Sequence, residues 1–226
     1  MAIQNSTMTM RVFAHLLSYP DAALRQHLPE MRDALHGEAA LTPQRLSELD
    51  ALIDTLIRGD GLDTEAAYVE LFDRGRATSL HLFEHVHGDS RDRGQAMVDL
   101  NALYRRSGFV LAVNELPDYL PAVLEYLSTR PTEEVHELIE DCAHILRAVG
   151  ERLVAGGSPY AAVIAAVLDL HGAAPLEMAK NAVKTRAARL LDDEWDEAPV
   201  EFGPNAAPHG VQQSRPQFIR FVPKNP

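Results

Sequence analysis

The sequence predicts an all-α fold, a single helical bundle of about eight to ten helices with an extended C-terminal tail. Three observations carry this. Apolar residues recur at three- and four-residue steps along most of the chain, whereas the strand period of two hardly occurs. Proline, glycine and capping residues cut the pattern into segments of helical length. The composition then changes sharply after Leu191. A chain of 226 residues that is 46% apolar can bury one sizeable core. The division expected is a helical domain over 1–197 and a proline-rich, nearly acid-free extended or disordered tail over 198–226.

Val12, Phe13, Leu16 and Leu17 draw the first apolar stripe, which stops at Tyr19-Pro20. A helix is expected next over about 21–36. Thr42 and Pro43 open another, with Leu46, Leu49, Leu52, Ile53, Leu56 and Ile57 on one face and Gly59 and Gly61 closing it. Further helices are expected over about 64–72, 79–87, 90–107 and 118–128. Asp118 is placed to cap the last of these, and Pro121 to sit in its first turn. Pro131 suits a first helical turn, and Glu133 and Glu134 favour the positive end of the helix dipole. From there Val135, Leu138, Ile139, Cys142, Ile145, Leu146, Val149 and Leu153 form one continuous stripe, ended by Gly156 and Gly157. Ser158 and Pro159 start a short helix, YAAVIAAVLDL, that is apolar nearly all round, as a helix at the centre of a bundle would be. A last helix is expected over about 175–191.

Beyond it, DDEWDEAPVE holds six acids, while residues 202–226 hold none and carry Arg215, Arg220 and Lys224. Six of the fourteen prolines lie from Pro199 onward, and Phe202, Phe218 and Phe221 give the tail means to dock on the body.

Charge and cysteine content narrow the function. Against 21 basic residues stand 33 acidic ones, a formal net charge of −12, which disfavours nucleic acid and suits cationic partners such as a basic peptide. The single cysteine, Cys142, lies in a core stripe and reads as a packing residue; lacking an internal partner, it fits a reducing compartment. The N-terminus lacks a basic segment followed by an apolar run, and no window approaches about 18 uninterrupted apolar residues. A cytoplasmic protein that does not span the membrane is expected. No phosphate-binding loop and no C-x-x-C pair occurs, so no tightly held cofactor is expected.

Residues 71–99, LFDRGRATSLHLFEHVHGDSRDRGQAMVD, crowd charge, histidine and aromatic groups together. Within them His81, Glu84 and His85 fit an H-x-x-E-H pattern, which on a helix sets two imidazoles one turn apart with a general base beside them. A small zinc hydrolase is the alternative this raises. The pattern fixes only three positions in a chain with ten histidines and needs a third ligand from elsewhere. His87, two residues past His85, points away from the pair. Histidines bonded to nearby carboxylates or carbonyls are the plainer reading, and neither a metal site nor catalytic residues are expected. After Ser90, Asp92, Gln95, Asp99 and Arg106 follow one polar stripe, while Ala96, Met97, Leu100, Leu103 and Tyr104 follow an apolar one. Together with Phe72-Asp73-Arg74 and Phe83-Glu84-His85, this alternation suits a recognition surface. Leu116-Pro117-Asp118-Tyr119-Leu120-Pro121 reads as a helix entrance whose Tyr119 can edge a peptide groove.

These strings resemble a known family. Leu71 to Arg76, Ser79-Leu80, Leu82 to Gly88, Ser90 to Leu100, Leu16 to Asp21, Glu115 to Pro121 and Trp195 to Gly203 are similar to the NarJ-type nitrate reductase molybdenum cofactor assembly chaperones, relatives of the TorD/DmsD-like redox enzyme maturation chaperones. The likeness runs over about 10–204. It implies an all-helical, cytoplasmic, non-enzymatic chaperone of the catalytic (alpha) subunit of a membrane-bound respiratory nitrate reductase. Such a chaperone binds the N-terminal segment of the apo subunit, a relic of a twin-arginine leader. It keeps the subunit competent for insertion of the molybdenum bis-guanine-dinucleotide cofactor and an iron–sulfur cluster, and delays membrane attachment. Docking of cofactor-delivery proteins is left open. Candidate groove walls are Tyr68, Phe72, Phe83, Leu116, Tyr119, Leu120 and Tyr126. Glu84, Asp92, Asp99 and Asp118 are candidate partners for peptide cations, and His87, Arg91 and Gln95 are candidates to orient that surface or touch the client.

Overall fold

A computed structural model describes residues 7–87, 91–111, 115–176 and 178, with the side chains of His87 and Arg91 excepted. Among these residues the chain forms ten α-helices and no strand. They are α1 (Thr7–Leu16), α2 (Ala22–Gln26), α3 (Leu28–Glu38), α4 (Pro43–Arg58), α5 (Gly61–Phe72), α6 (Leu82–His87), α7 (Arg91–Arg106), α8 (Leu120–Leu127), α9 (Thr132–Ala155) and α10 (Ala161–Leu170).

The bundle is built around α10, whose residues from Ala161 to Leu168 are all buried, with α9, α4 and α1 packed around it. A helix enclosed on every side has no use for a polar face, hence its uniformly apolar sequence. In α9, Gly150 lets the two helices close: a Cβ there would come within 2.5 Å of Leu176 Cδ2 and 3.0 Å of Ile164 Cγ2. α1 packs on α3 and α8, and its first amides, Met8 N–H and Thr9 N–H, donate to the Glu38 carboxylate at the end of α3 at 3.2 and 2.5 Å.

Arg45 is a buried charge of this assembly. Its Nε donates to Asp169 Oδ2 at 2.7 Å, its Nη2 to the Leu176 carbonyl at 3.1 Å, and its Nη1 to Glu48. It therefore ties α4 to the C-terminal end of α10 and to the segment that follows. Replacing Arg45 by alanine should cost on the order of 2 kcal/mol in a urea titration, because it leaves two partly exposed carboxylates and a carbonyl without their cation.

Several expected elements take a different form. The single helix over 21–36 is two, breaking at His27, which ends α2 and starts α3. Pro29 has no N–H to give the Arg25 carbonyl, so the helix cannot run through. Ile57, expected on the apolar face of α4, is 44% exposed, one step past the buried stripe. α5 starts earlier than expected because Asp60 caps it, accepting from Leu62 N–H at 3.0 Å. Asp118 does not cap the helix it precedes; Tyr119 holds that position for α8, and the Asp118 carboxylate serves α6 instead. Pro175 and Leu176 are not helical, and the remainder of the helix expected over 175–191, like the tail, lies outside the described residues apart from Met178.

Candidate client-docking surface

The segments singled out in the sequence meet where the stretch before α6 crosses the loop before α8. His81 and Tyr119 form an isolated antiparallel bridge. Leu82 N–H donates to the Asp118 carbonyl at 3.1 Å, and Leu120 N–H to the Leu80 carbonyl at 2.8 Å. The Asp118 side chain, with no exposed surface, accepts from Phe83 N–H at 3.0 Å and lies 3.3 Å from His81 Nδ1. It thus caps α6 from a distant part of the chain, satisfying a first-turn amide that the local sequence leaves bare. The Asp118 hydrogen bond also holds the His81 imidazole above its ordinary pKa, against the opposing pull of burial.

Glu84 closes the corner. Its carboxylate accepts from the Ser79 hydroxyl at 2.6 Å and from Arg93 Nη2 of α7 at 3.2 Å. Burial alone would raise this carboxyl, but the Ser79 hydroxyl and the charges of Arg93 and His81 outweigh it and keep its pKa low. His85 Nε2 lies 2.9 Å from the Ser79 carbonyl. The H-x-x-E-H string is therefore split, since His81 precedes α6 and faces Asp118 while His85 faces Ser79. Among the described residues, no group of three His, Cys, Asp or Glu stands together as a metal site.

Beside this corner lies an aromatic cluster. The Tyr68 hydroxyl donates to the Leu17 carbonyl at 2.7 Å and is 3.0 Å from the Tyr119 hydroxyl. Its ring meets Phe72 at 4.9 Å, Tyr160 at 6.1 Å and Tyr19 at 5.7 Å between centroids. Tyr160 also meets Phe72 edge-on at 5.1 Å. Tyr68, Phe72 and Tyr160 are buried, Tyr119 is half-buried and Tyr19 is 44% exposed, so the cluster reaches the surface through Tyr19 and Tyr119. Burial raises the Tyr68, Tyr119 and Tyr160 phenols above their ordinary pKa.

Of the candidate groove walls, Tyr68, Phe72 and Tyr119 come together here, with Leu116 exposed nearby in sequence. Phe83, Leu120 and Tyr126 correct the expectation: each is no more than 2% exposed and belongs to the core, offering no wall in this conformation. Tyr126 belongs to a second cluster with Tyr104 and Phe109 at 4.7 and 5.7 Å. Among the charged candidates, Asp118 and Glu84 are spent on internal bonds, whereas Asp92, Gln95 and Asp99 line an exposed face of α7, with Gln95 Nε2 donating to Asp99 at 2.9 Å. The His87 and Arg91 side chains lie outside what is described. Tyr19 and Tyr160 were not among the candidates. Tyr160 had a signal, being a hydroxyl at the head of an otherwise apolar helix; Tyr19 had its position beyond the α1 stripe and its place in the family-like string from Leu16 to Asp21.

Comparison with known proteins places the chain. Residues 19–166 match the family model described as nitrate reductase delta subunit. The chain is 44% identical over 196 residues to the nitrate reductase molybdenum cofactor assembly chaperone NarJ of Escherichia coli (strain K12), covering 84% of this chain and 83% of that protein. It is 31% identical over 163 residues to the probable chaperone of the same name from Bacillus subtilis (strain 168), covering 71% and 86%. A crystal structure from Archaeoglobus fulgidus, of a protein assigned to redox enzyme maturation, superposes with a TM-score of 0.54 at 20% identity over 72% of this chain and 91% of that one, a likeness of fold. No helix among the described residues is long and apolar enough to cross a membrane. The chain belongs to the nitrate reductase delta subunit family.

Proposed function

We propose that this chain is a cytoplasmic, non-enzymatic chaperone for the assembly of a respiratory nitrate reductase. It binds the apo catalytic subunit through that subunit's N-terminal segment and holds it open for the molybdenum bis-guanine-dinucleotide cofactor, before the enzyme joins the membrane. The observation that carries this reading is the 44% identity, across most of both chains, to a relative named for molybdenum cofactor assembly of nitrate reductase. The surface supports it. Half-exposed tyrosines over a buried aromatic floor, rimmed by carboxylates, suit a segment that presents both apolar and cationic side chains. The acidic stripe of Asp92 and Asp99 on α7 adds charge of the same sign.

The role is tested by deleting the gene for this chain in its own host and purifying the nitrate reductase catalytic subunit. The subunit is expected to be made but poor in molybdenum and inactive, and to recover when the chain is resupplied. A fully metallated, active enzyme in the deletion strain would contradict the proposal.

A further inference from the structure

We propose that the acid-free tail of this same chain, centred on Phe218-Ile219-Arg220-Phe221, docks on the tyrosine surface formed by Tyr19 and Tyr119 and competes with the client for it. The inference deepens the docking reading above and rests on it.

The surface is built to receive a group that the described chain does not supply. Four carboxylates surround the two tyrosines: Glu65 accepts from the Tyr19 hydroxyl at 2.9 Å, Asp21 and Asp73 act on the Tyr19 phenol, and Glu115 and Asp73 on the Tyr119 phenol. None of the four is paired with a cation among the described residues, although Arg74 next door is paired with Glu70 at 2.8 Å. Under this acidic rim lies an unmet hydrogen bond. Tyr160 is 7% exposed, its ring packs on Tyr68 and Phe72, and its buried hydroxyl has no partner. Tyr160 and Tyr119 both adjoin Tyr68, the first through its ring and the second through its hydroxyl. An occupant that fits brings cations and aromatic rings together.

The tail is the part of the chain with that chemistry. Residues 202–226 contain no acidic side chain, three cationic side chains at Arg215, Arg220 and Lys224, and three phenylalanines. The last two phenylalanines flank Arg220, so one short segment offers both kinds of side chain. Reach is no obstacle. About 40 residues separate Met178 from Phe218, a contour of roughly 130 Å, whereas α10, the helix that begins after Tyr160, is only about 15 Å long. An intramolecular occupant also enjoys a high effective concentration, so modest contacts suffice to hold it against a free client.

The test uses the full chain with a nitroxide attached at position 217 after Gln217→Cys, leaving Cys142 in place because burial raises its thiol to about 12 and keeps it unreactive. Amide signals of Tyr19, Glu65, Asp73 and Tyr119 are expected to lose most of their intensity relative to the reduced label, and to regain it when Phe218→Ser and Phe221→Ser are added. The same double substitution in the unlabelled chain should tighten binding of a peptide copying the N-terminus of the nitrate reductase catalytic subunit by about tenfold, since a blocked site lowers apparent affinity by its free fraction. Unattenuated signals would overturn the proposal, as would attenuation confined to another face. So would attenuation that disappears on dilution into excess unlabelled chain, which would mean a second copy's tail, or an unchanged affinity for a peptide that does bind. Attenuation at these four amides with no peptide binding to either chain would leave the tail docked and fail the client reading instead.

Discussion

Replacing Asp118 by alanine is expected to cost about 3–5 kcal/mol of stability, because it removes the fully buried carboxyl group that accepts from Phe83 N–H and faces the His81 imidazole. Phe83 N–H, 3.0 Å from the carboxylate, is a first-turn amide of α6, and His81 sits 3.3 Å away on the other side. Both would lose this partner at the crossing that joins the stretch before α6 to the loop before α8. Asp118→Asn keeps an acceptor for Phe83 N–H and loses only the charge assistance, so a loss of about 1–2 kcal/mol is expected. Urea titrations of the three proteins give the order parent, asparagine, alanine. An alanine variant as stable as the parent would mean that the crossing is held by its backbone bonds alone.

Acid should destabilise the fold through His171. This residue closes α10, is 7% exposed and sets Nε2 against Met10 Sδ at 3.5 Å. Burial, with a smaller push from His136, lowers its pKa to about 4. An unfolded histidine titrates near 6.5, so between the two values the unfolded chain binds a proton that the folded chain refuses. Stability is therefore lost as pH falls from about 6.5 towards 4, by on the order of 2–3 kcal/mol between pH 7 and pH 4.5. His81 works in the opposite direction. Its pKa is raised in the fold, so its contribution is complete below about 6.5 and is lost as pH rises through the folded value. His171→Leu isolates the first effect. Its unfolding midpoint should fall much less between pH 7 and 4.5 than the parent's, and an equal fall in both would refute the assignment.

The helices were legible because most of them are periodic and punctuated. The stripe from Val135 to Leu153 is buried as expected, and Thr42 caps α4 through Arg45 N–H at 3.3 Å. What was not legible is what depends on contacts across the chain. Asp118 looks like a local cap because it precedes a helix; only the fold brings Phe83 N–H, 35 residues away in sequence, within its reach. Arg45 likewise owes its burial to a distant partner, since only the fold sets it beside Asp169, 124 residues later. The site was half visible. Aromatic residues near a charged segment suggest recognition, but sequence does not say which rings face outward. Phe83 and Tyr126 went to the core, while Tyr19, outside the charged segment, supplies one of the two rings through which the Tyr68 cluster reaches solvent. The break at His27 was available in the sequence, since Pro29 forbids a continuous helix there.

The central claim is that this surface receives the N-terminal segment of a nitrate reductase catalytic subunit, and isothermal titration calorimetry tests it most directly. A synthetic peptide copying the first residues of that subunit is titrated into the full chain and into an Asp92→Ala/Asp99→Ala variant. Both residues are exposed, so the variant should keep its helical circular dichroism signal. One-to-one binding with a dissociation constant of about a micromolar or tighter is expected for the parent, with weaker binding for the variant. No heat with the parent chain, together with failure of the whole apo subunit to co-purify with it, would contradict the account.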